Sequence, residues 1–273
     1  MLSLPRPRFT LLRRCWARRG LSLSATPAVA EIAARMASLD RGLDWDEDLA
    51  REAVSSLLLR LRTDSSTTSS AAGLSLALSC LQNSLVGDEG VLEVVEEVAV
   101  KLAPNEEPFT SLDVELAFVG LRYLEFGDER LSRLLAVLLT KVKEAQSPLT
   151  SRSISFAYGG LQSMPSSEPL IQALLRELNS RLRATNEPFT SEDFTRLFWG
   201  MQYMSTRQEE VRSLLSELTR KVRESREVSL AAAEESAMFG LYHMNRKDPV
   251  VRSLLEALRR RHCDPDGDDF GSL

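Results

Sequence analysis

From residue 67 onward the apolar positions fall into two clusters in every forty residues. In one cluster Ile171, Leu174, Leu175, Leu178 and Leu182 stand at i, i+3, i+4, i+7 and i+11, which is a single stripe along an α-helix. Val211, Leu214, Leu215, Leu218 and Val222 reproduce that stripe forty residues later. The other cluster is built around a glycine, in "FAYGGLQSM" at 156–164, "LFWGMQYM" at 197–204 and "AMFGLYHM" at 237–244. Both patterns predict helices.

A shift of forty aligns residues 67–106, 107–146, 147–186, 187–226 and 227–263 without a gap. One column holds Cys80, Gly120, Gly160, Gly200 and Gly240, and the next holds Leu81, Leu121, Leu161, Met201 and Leu241. Thr110, Thr150 and Thr190 are placed to cap the first helix of their copies, with Asp113 and Asp193 completing a capping box. Asp88, Asp128 and Asp248 open the second helix, and Pro169 and Pro249 fit its first position, where no amide hydrogen is needed. Each copy is therefore a helical hairpin. A lone forty-residue hairpin leaves its apolar face in water, so the copies must stack, and the expected fold is all-α: an α-solenoid of stacked two-helix repeats with a 40-residue period. A glycine inside a helix costs about 1 kcal/mol relative to alanine. Its return at a fixed position is explained if helices there must approach at the close end of the usual 8–10 Å spacing.

The sequence divides into four parts on this basis. Residues 1–30 contain six arginines, several serines and no acidic residue, the composition of a mitochondrial transit peptide, with a plastid peptide as the alternative. Residues 31–66 read as a degenerate capping repeat whose last helix covers about 46–62, and the polar stretch 63–73 reads as a loop. Residues 67–263 are the five repeats. Residues 264–273 are an acidic tail expected to be disordered.

Charge narrows the partners. The whole chain has 34 basic and 39 acidic side chains, a net −5, and without the first thirty residues the net is −11. So acidic a protein is not a general polyanion binder, because lysine and arginine supply most non-specific affinity for nucleic acid. The first copy is the most acidic, and the last three are close to neutral or slightly basic. Cys15, Cys80 and Cys263 have no metal or disulfide spacing, and two histidines without a recurring partner offer no acid–base pair. No phosphate loop, zinc helix or nucleophile elbow occurs, and no stretch after residue 30 has the length and apolarity of a membrane span. The expectation is a protein that is not an enzyme, with no cofactor, metal, membrane span or small-molecule substrate.

The string "AYGGLQSM" at 157–164, followed by "EPLIQALLREL", resembles the 38 to 40 residue helical repeats of organellar RNA-binding proteins, the octotricopeptide and heptatricopeptide repeats. The resemblance covers residues 67–263. It implies work in mitochondrial RNA processing, translation or ribosome-associated complexes, with organellar RNA, protein subunits of a mitochondrial ribonucleoprotein complex, or both as partners. The alternative is a protein–protein scaffold or assembly subunit of a mitochondrial complex that makes no RNA contact.

Two sets of residues are candidates for holding such a partner. Lys101, Lys141, Arg181, Lys221 and Arg261 form a ladder near the end of the second helix, with Lys143, Arg183 and Arg223 two positions on. Such a ladder could follow the phosphates of a single strand, but a cation in the last turn also offsets the helix dipole by about 0.3–1 kcal/mol. After the glycine come Arg122, Gln162, Gln202 with Tyr203, and Tyr242 with His243, side chains able to stack on or hydrogen-bond to bases, or equally to line a protein interface.

Overall fold

The computed structural model describes residues 29, 32, 47–63, 70–83, 87–225, 227 and 229–263, without the side chains of residues 83 and 261–263. The expected transit peptide apart from Val29, nearly all of the capping repeat before residue 47 and the acidic tail lie outside the described residues, as do the side chains of Arg261 and His262.

Among the described residues the regular structure is entirely helical, with eleven helices. Helix α1 (Glu47–Thr63) precedes five pairs: α2 (Ala71–Ser79) and α3 (Glu89–Leu102), α4 (Ser111–Val119) and α5 (Glu129–Glu144), α6 (Ser151–Gly160) and α7 (Pro169–Ala184), α8 (Ser191–Trp199) and α9 (Glu209–Glu224), and α10 (Ala231–Gly240) and α11 (Pro249–Cys263). The short helices touch one another in the order α2, α4, α6, α8, α10, and the long ones in the order α1, α3, α5, α7, α9, α11. The architecture is repeat-like, with two files of helices and one apolar core running between them from Val29 to Leu258. Ile171, Leu174, Leu175, Leu178 and Leu182 are wholly buried in it, as their stripe requires.

The expected caps are present. The hydroxyls of Thr110, Thr150 and Thr190 accept from the amides of Asp113, Ser153 and Asp193, and the carboxylates of Asp113 and Asp193 accept in return from the cap amides at 2.8 and 3.0 Å. Asp88, Asp128 and Asp248 accept from amides two residues on, at 2.9, 2.8 and 3.0 Å. One boundary differs from the expectation. The loop assigned to 63–73 ends at Ser70, whose hydroxyl accepts from the amide of Gly73 and starts α2 at Ala71. The side chain of Glu107, one copy later, accepts from the amide of Ala71 at 2.7 Å, so this helix start is finished by a tertiary contact.

The glycine column brings the backbones of neighbouring short helices into direct contact. Methyl groups placed on Gly120, Gly160, Gly200 and Gly240 would overlap the carbonyl oxygens of Leu78, Phe118, Tyr158 and Phe198, in each case 42 residues earlier on the preceding short helix. Only a residue without a side chain lets the two backbones meet there.

The turn between the two helices changes along the chain. In the first two copies it uses Gly87 at φ 76° and Gly127 at φ 136°, a backbone region that side chains disfavour. In the last three it is closed by bonds from the amides of Glu168, Gln208 and Asp248 to the carbonyls three residues earlier, at 3.2, 3.0 and 2.9 Å. No described residue other than glycine has positive φ. That turn accepts side chains, and Ser167, Arg207 and Lys247 occupy the glycine's column.

Candidate interaction surface

Two members of the cation ladder, Lys141 and Lys221, are buried. Lys141 is 3% exposed and donates to the backbone carbonyls of Asn105 and Glu107. Lys221, 7% exposed, donates to the carbonyl of Thr185 at 2.5 Å, and its burial lowers the ammonium pKa from the ordinary lysine range. Arg181 spans the carbonyls of Val142, Lys143 and Ala145 at 2.8, 2.8 and 3.0 Å and pairs with Glu177 at 2.8 Å. These contacts share one register, since Asn105, Ala145 and Thr185 each lie 36 residues before their cation. Helix ends leave carbonyls without intrahelical partners. Arg181 satisfies two of them, on Val142 and Lys143, from the next copy, while Lys141 and Lys221 reach carbonyls past a helix end.

Lys141, Arg181 and Lys221 thus direct hydrogen bonds to the protein's own backbone. Neither reading of the sequence anticipated the recipient, which is neither a phosphate nor the cation's own helix. Lys101 instead lies 3.8 Å from Glu97 on its own helix.

The outer row remains at the surface. Lys143, Arg183 and Arg223 are exposed; Arg183 donates to Ser213 and Arg223 to Ser253 at 3.2 Å, each reaching the following long helix. The post-glycine residues are elsewhere. They sit at the opening of the turn that leads into the long helix, whereas the outer row sits at that helix's far end. A sixteen-residue helix is about 24 Å long at 1.5 Å per residue. The two sets of candidates thus occupy two separate edges.

At the turn edge neighbouring copies touch. The guanidinium of Arg122 lies over the Tyr123 ring and donates through Nε to Gln162 Oε1 at 3.1 Å, while the Ser163 hydroxyl donates to the Arg122 carbonyl at 3.3 Å. Gln202 is half-buried, and its amide Nε2, shielded from solvent, has no hydrogen-bond partner among the described residues. Tyr203 and Tyr242 are 59% and 70% exposed, and the Tyr242 and His243 rings meet edge to face at 5.1 Å. The larger aromatics just before the glycines divide by position. Phe118, Tyr158 and Phe198 are fully buried, whereas Trp199 and Phe239 stack at 5.5 Å with Phe239 40% exposed.

Charged residues bind the remaining surface together. Arg130 clasps Asp128 and reaches back to Glu89 of the preceding copy, and its hydrogen bonds hold both carboxylates below their usual pKa. Arg196 is 4% exposed, pairs with Asp193 at 3.0 Å and stacks over Phe156 at 4.4 Å. Among the described residues no three metal-ligating side chains come together, and no helix is long and apolar enough to cross a membrane. Sequence reasoning passed over Arg207, Arg246 and Lys247, exposed cations on the turn edge, although the change from glycine to serine, arginine and lysine in one column signals two of them. No protein-family model matches the chain, and no curated protein or solved structure is significantly similar to it.

Proposed function

We propose that the chain is an α-solenoid of stacked two-helix repeats that binds RNA, or works within an RNA-processing, translation or ribosome-associated complex, without catalysing a reaction. The observation that carries this reading is the constant register between copies. Glycine contacts at a separation of 42 and cation contacts at 36 return each column to the same place on the next copy, so exposed columns become continuous edges. An edge of that kind suits an extended partner. The arginine-rich, acid-free first thirty residues support a mitochondrial setting, with the plastid as the alternative.

A second reading has an observation of its own. The inner cations are consumed by backbone carbonyls, and the first copy is strongly acidic, which favours a scaffold that grips a basic protein without touching RNA. Affinity purification of the tagged protein from isolated mitochondria, split into nuclease-treated and untreated halves, separates the two. RNA crosslinks to the described copies, with partners lost after nuclease, support RNA binding. An unchanged protein set without crosslinks establishes the scaffold, and absence of the protein from mitochondria removes the setting itself.

A further inference from the structure

We infer that the partner-binding surface is the turn edge of the last two copies, and that its occupant is single-stranded RNA held by stacking on Tyr203 and Tyr242 and by the charges of Arg207, Arg246 and Lys247. The inference rests on the RNA reading above and gives it a location different from the cation ladder. Three of the six exposed large hydrophobic or aromatic side chains among the described residues, Tyr203, Phe239 and Tyr242, belong to these two copies. Exposed rings on two adjoining copies are surface that a partner can cover.

Charge selects the kind of partner. Segment 200–208 contains Arg207 and no acidic residue. Segment 240–248 contains Arg246 and Lys247 against Asp248 alone. The Asp248 carboxylate is already committed, accepting from Arg212 at 2.7 Å and from the amide of Val250 at 3.0 Å. Arg207, Arg246 and Lys247 are exposed and form no ion pair among the described residues. The equivalent segments of the second and third copies carry Glu125 and Asp128 against Arg122, and Glu168 with no cation, so only the last two are net basic.

Backbone geometry explains how the cations arrive there. The positive-φ glycine of the first two copies leaves its column without a side chain, while the hydrogen-bonded turn of the later copies fills that column with Arg207 and Lys247. The same turn begins immediately after the tyrosines, so ring and cation stand within a few residues of each other. Bases present π-faces whatever their sequence, and phosphates need cations at the next step along the strand. Trp199 and Phe239 stack at 5.5 Å, so the fourth and fifth copies touch beside this edge and Tyr203 and Tyr242 stand on adjoining copies.

The test is a binding titration of the full chain with fluorescein-labelled single-stranded oligo(U) and oligo(A) of about twelve nucleotides, within the usual site size of about 4–16. The double variant Tyr203→Ala/Tyr242→Ala should weaken binding about tenfold or more, while Tyr203→Phe/Tyr242→Phe retains it, because the ring and not the hydroxyl stacks. Reversing Arg207, Arg246 and Lys247 to glutamate should weaken binding and lower the salt slope by about 2, at about 0.7 per phosphate contact. Reversing Lys143, Arg183 and Arg223 should leave both unchanged. Unaltered thermal melts keep these comparisons free of unfolding. If the last set abolishes binding and the turn variants match wild type, RNA binding stands and this location is wrong. A wild-type chain that binds neither oligonucleotide at low salt overturns both. If the turn variants lose a co-purifying protein while RNA binding is intact, the edge is a protein-docking surface and the inference fails.

Discussion

Gly200 lies directly against the carbonyl of Tyr158 in the preceding copy, so close that a methyl group on it would overlap the oxygen and stand 2.9 Å from the Gly159 nitrogen. Gly159 is adjacent to a member of the same column, yet a methyl group there meets nothing nearer than the Arg196 carbonyl at 3.6 Å. Two alanine substitutions therefore part in sign. Gly200→Ala forces two backbones apart and should cost about 1–3 kcal/mol or more, the range of an overpacked core. Gly159→Ala fits in ordinary contact and should be neutral or stabilising by up to about 1 kcal/mol through helix propensity. Denaturant unfolding of both variants decides this, and equal destabilisation would remove the packing explanation.

Arg181 and Lys221 should behave as structural residues. Arg181→Met leaves the carbonyls of Val142, Lys143 and Ala145 without these donors, and a buried acceptor left unsatisfied costs about 1–3 kcal/mol. Lys221→Met removes the donor to Thr185 and should also lower the melting temperature. Melting curves unchanged from wild type would return these cations to the list of candidate RNA contacts.

Asp193 has two duties. It closes the capping box with Thr190 and holds the guanidinium of Arg196, which is almost wholly buried. Thr190→Ala removes only the cap, a loss of about 1 kcal/mol. Asp193→Ala strips Arg196 of one partner as well and should cost more, toward the roughly 3–5 kcal/mol of a broken buried pair. Chemical denaturation of the two single variants, and of Asp193→Ala/Arg196→Met, tests this: the double variant should recover part of the loss.

Cys80 fills the glycine column in the first regular copy and is buried, which pushes its thiol pKa up to about 12 from an ordinary 9.0. With Cys15 and Cys263 changed to serine, the folded chain should resist a thiol-specific reagent at pH 8 and react fully in denaturant. The sign for stability follows from linkage. The folded thiol stays protonated while the unfolded one ionises, so this contribution is whole below pH 9 and falls as pH rises toward 12. Rapid labelling of the folded protein would show that the site is open.

Much of this organisation was legible in the sequence because it is local. Thr110 and Asp113 recognise each other three residues apart, and the stripe from Ile171 to Leu182 lies on one helix. The glycine column was also legible, since a repeated cost in one position points to a repeated close contact. The destination of the lysines and arginines was not. Lys221 lies 36 residues from the carbonyl it serves, and a cation in a last turn looks the same whether it caps its own helix, a neighbour's or nothing. The start of α2 was missed for a similar reason, because its first amides are held by Ser70 and by Glu107 in the next copy. On the candidate surface, Tyr203 and Tyr242 were found by chemistry, whereas Arg207 and Lys247 were signalled by the loss of glycine from one column, whose meaning as a change of turn the backbone supplies.

The ladder's contacts across copies also run in one direction. Lys141, Arg181 and Lys221 lie on the later copy, and the carbonyls of Asn105, Ala145 and Thr185 lie on the earlier one. During synthesis, which proceeds from the N-terminus, the loop that ends one hairpin leaves the ribosome before the side chain that completes it. Such a loop remains solvated until about another copy's length of chain has emerged. For the loops at Asn105, Ala145 and Thr185, the hairpin that follows supplies the side chain that finishes the one before it.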